Sequence, residues 1–268
     1  MIMFQALKKR GGKREGAIFQ LRYLHDVETK SGDFERIIDC SSELRSIFLD
    51  NPEEQTLDHI QHLHKLRKIK FNKIRAEILE KLVKKIGGQL TEIELVTCRG
   101  SIDLATLSSY CSNLQVLEVY YSQNIVSRGD SSRKFSKLRK CVIYSTEISG
   151  LASNYLIENS PVIEHLNLSS ASLLDKDKLV KLVESGALDN LQELAIMSAP
   201  LLDIDVVELL IDQLPRLKLL GRLEQWNVGA SQLERLRKKV GEENYELLLW
   251  FNLPIHLELH FDQDLIDL

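Results

Sequence analysis

Long apolar segments are missing from this sequence. It has no stretch of 18 or more apolar residues, which excludes an ordinary transmembrane helix. The opening MIMFQALKKRGG lacks the apolar region of a secretory signal, so we expect an intracellular, cytoplasmic protein. A nuclear location is the alternative, because a basic cluster near the start fits either an import signal or a disordered basic segment. The cluster consists of Lys8, Lys9, Arg10, Lys13 and Arg14.

Cysteine is scarce, and the common catalytic motifs are absent. Four cysteines in an intracellular chain of 268 residues are expected to be buried free thiols rather than disulfides. The sequence has no Gly-rich phosphate loop, His-Glu-x-x-His, Gly-x-Ser-x-Gly or paired Cys-x-x-Cys. His62, His64 and Cys98 could be imagined as metal ligands, but zinc sites use tighter sets of four. We therefore expect no enzyme activity, cofactor or metal.

The formal net charge of −4 argues against a general nucleic-acid binder. The charge is nevertheless uneven, because residues 62–85 carry nine Lys or Arg against Glu77 and Glu80. One alternative is therefore a nucleic-acid-associated protein that uses this segment. The simpler interpretation is a set of solvated faces.

A repeated pattern dominates the middle of the chain. Residues 90–98 read L-x-x-L-x-L-x-x-C, and the same slots recur at intervals of 24 to 28 residues. The starts are Leu66, Leu90, Leu114, Leu138, Ile163, Leu191 and, in degraded form, Leu217. This period and consensus are typical of the leucine-rich repeat, in which each unit is one strand plus a returning helix or turn.

The strand pattern predicts which side chains face the core. Ile93 and Leu95 should point inward and Glu92 and Glu94 outward, and each parallel strand needs a long crossover. We predict an α/β leucine-rich-repeat solenoid, a horseshoe with a curved parallel sheet on the concave side and helices or turns on the convex side. The lengthening repeats suggest tight returns early and full helices late.

The repeat divides the chain into four parts. Residues 44–49 match the repeat pattern only weakly, which suggests an N-terminal cap made of degenerate repeats. A polar run at 127–133 replaces one return helix and should form an exposed loop. The parts are a flexible basic N-terminus (1–15), degenerate repeats or N-terminal cap (16–65), regular repeats (66–216), and a degenerate last repeat with C-terminal cap (217–268).

The cysteines make the pattern more specific. Cys98 closes one strand pattern, and Cys111 lies three residues before the next start at Leu114. This arrangement resembles the cysteine-containing leucine-rich repeats of F-box/LRR proteins and relatives of the Amn1 type. The resemblance implies a concave sheet that holds a protein partner, often a ubiquitylation substrate. Residues 1–60 lack the Leu-Pro opening of an F-box, so a role as substrate-recognition subunit of an SCF-type ubiquitin ligase would need an F-box supplied in trans or a longer chain.

Outward strand positions should stack into columns about 4.7–4.9 Å apart. Lys68 beside Glu92 and Lys70 beside Glu94 are expected to neutralise one another. Aromatic residues are enriched at interfaces and hot spots, which favours the following group as a protein-binding site. The group is Val96, Val116, Glu118, Tyr120, Lys140, Val142, Tyr144 and His165. We expect a non-catalytic interaction module; alternatively, a terminal extension covers these residues.

Overall fold

Alternating apolar residues build the strands, and apolar stripes at helical spacing build the helices. The computed structural model describes residues 22–26, 38, 41–129, 133–169, 171, 173–242 and 247–250. Its strands are β1 Tyr23–Asp26, β2 Ser46–Asp50, β3 Lys68–Asn72, β4 Glu92–Val96, β5 Ser101–Asp103, β6 Val116–Tyr120, β7 Asn124–Val126, β8 Lys140–Tyr144, β9 Glu147–Ile148, β10 His165–Leu168, β11 Glu193–Ile196, β12 Ala199–Asp203, β13 Leu219–Gly221, β14 Trp226–Asn227 and β15 Leu248–Trp250. Its helices are α1 Glu54–Ile60, α2 Ala76–Ile86, α3 Leu104–Tyr110, α4 Gly150–Glu158, α5 Lys176–Glu184, α6 Ile204–Gln213 and α7 Ala230–Glu242.

One large parallel sheet carries the repeat. Its ten strands run in the order β1-β2-β3-β4-β6-β8-β10-β11-β13-β15. Leu95 in β4 pairs with Val119 in β6, which pairs with Ile143 in β8. All three side chains are fully buried, and they belong to one apolar core that runs from Leu24 to Val240. The α/β prediction and the side-by-side register are confirmed.

A left-handed residue ends each of five successive strands of this sheet. Asn51, Lys73, Thr97, Tyr121 and Ser145 have φ between 47° and 60°. Such a backbone costs a non-glycine residue about 1–3 kcal/mol, so the surroundings must hold it. Hydrogen bonds do so, because the Thr97 N–H donates to the Tyr120 carbonyl at 2.8 Å and the Tyr121 N–H donates to the Tyr144 carbonyl at 3.0 Å.

The residues that follow Thr97, Tyr121 and Ser145 form a hydroxyl ladder, which consists of Cys98, Ser122 and Thr146 and ends on Ser169, directly after β10. The Cys98 N–H donates to Ser122 Oγ at 3.0 Å, and the Ser122 N–H donates to Thr146 Oγ1 at 3.1 Å. The Thr146 N–H donates to Ser169 Oγ at 3.3 Å. These bonds satisfy polar groups that would otherwise be buried without partners, and they tie successive repeats together.

The expectation of tight returns early and full helices late is confirmed by α1 and α3, which span seven residues each, and by α4, α5 and α6, which span nine, nine and ten, but it is wrong for α2. Helix α2, in one of the shortest repeats, spans eleven residues, whereas α5 and α6 span nine and ten. In the repeat that starts at Leu191 the extra length lies instead between strand and helix, because residues 73–75 connect β3 to α2 but residues 197–203 connect β11 to α6. Short parallel strands occupy part of this connection, with β5, β7 and β9 in one sheet and β12 and β14 in another.

Between β7 and β8 the described residues form no helix, as expected for the polar run at 127–133. Between β7 and β8 its described residues form an extended loop, in which Arg128, Gly129 and Arg133 are exposed. The Arg128 N–H donates to Asp103 Oδ1 at 3.0 Å, and Arg133 Nη1 donates to the Ser109 carbonyl at 3.0 Å. The preceding repeat therefore holds both ends of the loop.

The described ends of the chain extend the same sheet. Leu24 pairs with Ile47, which pairs with Ile69, so the weak pattern at 44–49 is a strand of the sheet. Near the other end, Trp226 is 5% exposed and its Nε1 donates to the Ile196 carbonyl at 2.9 Å. The prediction for residues 1–15 and the part of the predicted C-terminal cap after residue 250 lie outside the described residues. No helix of the described ranges is long and apolar enough to span a membrane.

Candidate protein-binding site on the sheet

The eight residues predicted to bind a partner all lie on β4, β6, β8 and β10. Each alternates with a buried neighbour along its strand, so the structure brings all eight to the outer face of the large sheet. Strand pairing sorts them into three columns: Val116, Lys140 and His165; Glu118 and Val142; and Val96, Tyr120 and Tyr144. Their role in binding stays a prediction. The alternative, a covering terminal extension, concerns residues outside the described ranges.

Tyr121 belongs to this site, although the strand pattern did not identify it. Its ring lies edge to face with that of Tyr144, with 5.9 Å between centroids and 87° between planes. The left-handed backbone at Tyr121 places its side chain beside the outer column, where it is 44% exposed. The spacing of 24 residues between Lys73, Thr97, Tyr121 and Ser145 was the available signal, because it marks a repeated position just after each strand.

A hydrogen-bonded triplet of Glu118, Lys140 and Tyr120 adjoins the rings of Tyr121 and Tyr144. Glu118 accepts an ion-pair hydrogen bond from Lys140 Nζ at 2.7 Å and a hydrogen bond from the Tyr120 hydroxyl at 3.1 Å. Burial raises the pKa of Tyr120, and the neighbouring Glu118 charge raises it further. The phenol therefore remains a neutral hydrogen-bond donor at physiological pH.

Ion pairs also surround the site. Lys68 Nζ lies 2.8 Å from Glu92 and Lys70 Nζ lies 2.7 Å from Glu94, so the expected neutralisation is confirmed. The hydrogen bond with Glu92 is the main cause that raises the pKa of Lys68. At the other side, His165 Nδ1 lies 3.0 Å from Glu193. Part-exposed pairs contribute only about 0.2–1 kcal/mol each, so their main effect is on the surface potential.

The basic segment 62–85 does not form one basic patch. Its lysines lie before β3, on the sheet and along α2, and their carboxylate partners come from several elements. The pairs outside the sheet are Lys65 with Glu43, Lys81 with Glu54, Lys84 with Glu80 and Lys85 with Asp58. This arrangement gives the nucleic-acid alternative no continuous basic surface within the segment.

The two cysteines on which the resemblance to cysteine-containing repeats was based are core residues. Cys98 and Cys111 are 1% and 2% exposed, and burial raises the pKa of each thiol to about 12. Gly87 lies against Cys111, where an added Cβ would be 2.9 Å from the sulfur atom. Among the residues that the structure describes, no group of three or more His, Cys, Asp or Glu is placed to hold a metal ion.

Comparison with protein-family models gave no match, and comparison with curated proteins gave none either. Among solved structures, a chain of the Rad7 and Elc1 complex from yeast is similar over 87% of this chain and 81% of that chain. The two are 16% identical, with a TM-score of 0.35. A likeness at this level identifies neither an activity nor a partner for this chain.

Proposed function

We propose that this chain is a leucine-rich-repeat solenoid, with the ten-stranded sheet on its concave side, and that it binds a protein partner without catalysing a reaction. The repeat length of 24 to 28 residues fits one strand and one return path. The register of Leu95, Val119 and Ile143 supports the stacking of repeats. The hydroxyl ladder supports it too, because Cys98, Ser122 and Thr146 occupy the slot that the leucine-rich-repeat consensus gives to Asn or Cys.

The observation that carries the binding proposal is an aromatic and aliphatic group at the middle of the sheet. We define the aromatic cluster as Val96, Tyr120, Tyr121 and Tyr144. All four side chains retain exposed surface, although each lies among strands whose alternate residues are fully buried. Rigid aromatic side chains contribute large contact areas for little conformational entropy, and tyrosine is enriched at hot spots.

The ion pairs around the aromatic cluster favour a partner with an apolar contact centre and a polar margin. Lys70 with Glu94 and Lys140 with Glu118 already satisfy one another, so an incoming protein meets little uncompensated charge there. Binding can then desolvate the tyrosines without leaving a buried unpaired charge, which would be expensive. This arrangement resembles the apolar core and polar rim of ordinary protein interfaces.

Affinity capture with the tagged chain tests this proposal. The variant Tyr121→Ala with Tyr144→Ala should lose partners that the wild type retains, and its melting temperature should fall by only a few degrees because both rings are partly exposed. Tyr110→Ala is a matched control, since Tyr110 is 42% exposed on α3 rather than on the sheet. Capture unaffected by the double variant would contradict the proposal.

The ubiquitin-ligase role is a narrower form of the same proposal. It requires an adaptor that the aromatic cluster need not contact, so a cullin adaptor should be recovered with wild type and double variant alike. Its absence from both captures would remove the ligase role and leave the binding proposal intact.

A further inference from the structure

A polar cavity lies at the edge where the strands of the large sheet begin, apart from the aromatic cluster. Its volume is about 430 Å³. Residues from four successive repeats line it, which brings together side chains that are far apart in sequence. Those that matter for its chemistry are the cations Lys137, Arg139 and Arg216, the carboxylate Glu164, and the amides Gln115 and Asn190.

The backbone fixes the positions of this edge. The Gln115 carbonyl accepts the N–H groups of Arg139 and Lys140 at 2.9 and 3.0 Å. The Arg139 carbonyl accepts those of Glu164 and His165 at 2.8 and 2.9 Å. Each residue before a strand is therefore held by two hydrogen bonds from the next repeat. The cavity is built on the rigid part of the fold rather than on a free loop.

Two of the cations donate hydrogen bonds to neutral amide oxygens. Lys137 Nζ donates to Asn113 Oδ1 at 2.6 Å, and Arg216 Nη1 donates to Asn190 Oδ1 at 3.1 Å. Within the described residues, neither has a carboxylate within 4.0 Å. An amide oxygen orients a cation but does not cancel its charge, so both charges remain available to a ligand.

The third cation has a weak ionic partner. Arg139 Nη1 lies 3.3 Å from Glu164 Oε1, and the arginine side chain is 62% exposed. Exposed pairs at this distance are easily exchanged for a better anion. With Glu164 counted against Lys137, Arg139 and Arg216, the cavity carries a net charge of two positive units.

We infer that this cavity binds a phosphate monoester. Such a group carries about −1.5 to −2 charges at pH 7, which matches the two uncompensated positive charges. Arginine guanidinium groups bind phosphate oxygens in bidentate geometry, and lysine adds a point charge. The Gln115 amide supplies a further neutral donor at the same edge.

The same phosphate chemistry could come from a phosphorylated side chain or from a small phosphorylated molecule. The position of the cavity is suited to the first source, because Arg139 and Glu164 directly precede Lys140 and His165 on the outer face. A phosphorylated partner bound to the sheet could thus reach the cavity. The inference itself does not rest on that binding.

Isothermal titration of the full chain tests the inference with three probes: inorganic phosphate, a phosphoserine peptide and the same peptide unphosphorylated. Both phosphate probes should bind, and the unphosphorylated peptide should bind at least about tenfold more weakly than its phosphorylated form. Tighter binding of the phosphopeptide than of inorganic phosphate would indicate a protein source. Equal affinity for the two would indicate a small phosphate ligand.

Charge variants distinguish phosphate binding in this cavity from nonspecific electrostatic attraction of phosphate to surface cations. Arg139→Gln with Arg216→Gln should weaken phosphate binding at least about tenfold, whereas Lys181→Gln, an exposed cation on α5, should change it less than twofold. Glu164→Gln should tighten binding, because it removes the carboxylate that competes for Arg139. This gain remains measurable if the double variant fails to fold.

Three results would overturn the inference. These are equal affinity for the phosphorylated and unphosphorylated peptides, no gain with Glu164→Gln, and equal losses in the cavity variant and Lys181→Gln. Inorganic phosphate binding should persist in Tyr121→Ala with Tyr144→Ala. The two proposals therefore fail independently of one another.

Discussion

The hydroxyl of Tyr155 donates a hydrogen bond to the carbonyl oxygen of Arg133 at 2.7 Å. Tyr155 belongs to α4, and Arg133 belongs to the loop of the preceding repeat, whose described residues form no helix. The same hydroxyl lies 2.6 Å from Ser108 Oγ on α3, one repeat further back. One tyrosine therefore links α3 and α4, the helices on either side of this loop.

We expect Tyr155→Phe to destabilise the protein by about 1–2 kcal/mol, because the Arg133 carbonyl and the buried Ser108 hydroxyl lose a shared partner. Urea unfolding would measure the loss. Tyr110→Phe, at an exposed position on α3, should change stability by less than about 0.5 kcal/mol. Equal effects of the two variants would show that the Tyr155 hydroxyl does not stabilise the loop.

Ser122→Ala should cost about 1–3 kcal/mol, because it leaves the Cys98 N–H without its acceptor in the hydroxyl ladder. Ser122→Thr should retain most of the stability, since Thr146 performs the same role one repeat later. Ser112→Ala, at an exposed turn, is the control. In thermal unfolding, the melting temperature should increase from Ser122→Ala to Ser122→Thr to Ser112→Ala.

Gly87→Ala should destabilise the fold by about 1–3 kcal/mol, because its Cβ would lie 2.9 Å from both Cys111 Sγ and the Tyr110 carbonyl oxygen. Gly241→Ala provides the opposite expectation, since nothing lies within 4 Å of its added Cβ in α7. Alanine there should stabilise by about 0.5–1 kcal/mol. Calorimetry can measure the melting temperatures of both variants. Shifts of the same sign in Gly87→Ala and Gly241→Ala would contradict the packing argument.

The buried thiols predict a dependence of stability on alkaline pH. Burial raises the pKa of Cys98 and Cys111 from 9.0 to about 12, so the folded state holds protons that the unfolded state releases. Their contribution to stability is therefore complete below pH 9 and is lost as the pH rises toward 12. Denaturant unfolding measured across this pH range should show that the free energy of unfolding falls less steeply with pH in Cys111→Ala than in the wild type.

Thiol labelling provides a second measurement of the same burial. At pH 8, iodoacetamide should leave Cys98, Cys111 and Cys141 unmodified in the folded protein and modify them in urea. Peptide mass spectrometry would report each site separately. Rapid labelling of Cys98 in the folded protein would be inconsistent with its 1% exposure.

The sequence predicted the strands of the large sheet well because each L-x-x-L-x-L segment encodes both its structure and its neighbours. Leu95, Val119 and Ile143 follow from period-two alternation and a constant spacing. The length of α2 could not be predicted, because the total length of a repeat does not show how many of its residues belong to the helix and how many to the connecting loops. Tyr121 was missed since its position depends on a left-handed turn, not on strand alternation.

The polar cavity could not be predicted in the same way. Lys137, Glu164 and Arg216 belong to different repeats and occupy positions that the consensus leaves variable. Their proximity depends on how far each connecting segment shifts the start of its strand. Such side-chain groupings require coordinates, whereas the columns of the sheet require only the register.

The hydroxyl ladder also determines how the chain could change in length. If residues 114–137 were deleted, Cys98 would face Thr146, whose hydroxyl could accept the hydrogen bond now made to Ser122. A whole unit could thus be removed without orphaning a buried amide at the junction, and the shortened protein should still unfold in a single cooperative transition. Gain or loss of entire units is therefore the change in chain length that this architecture tolerates best.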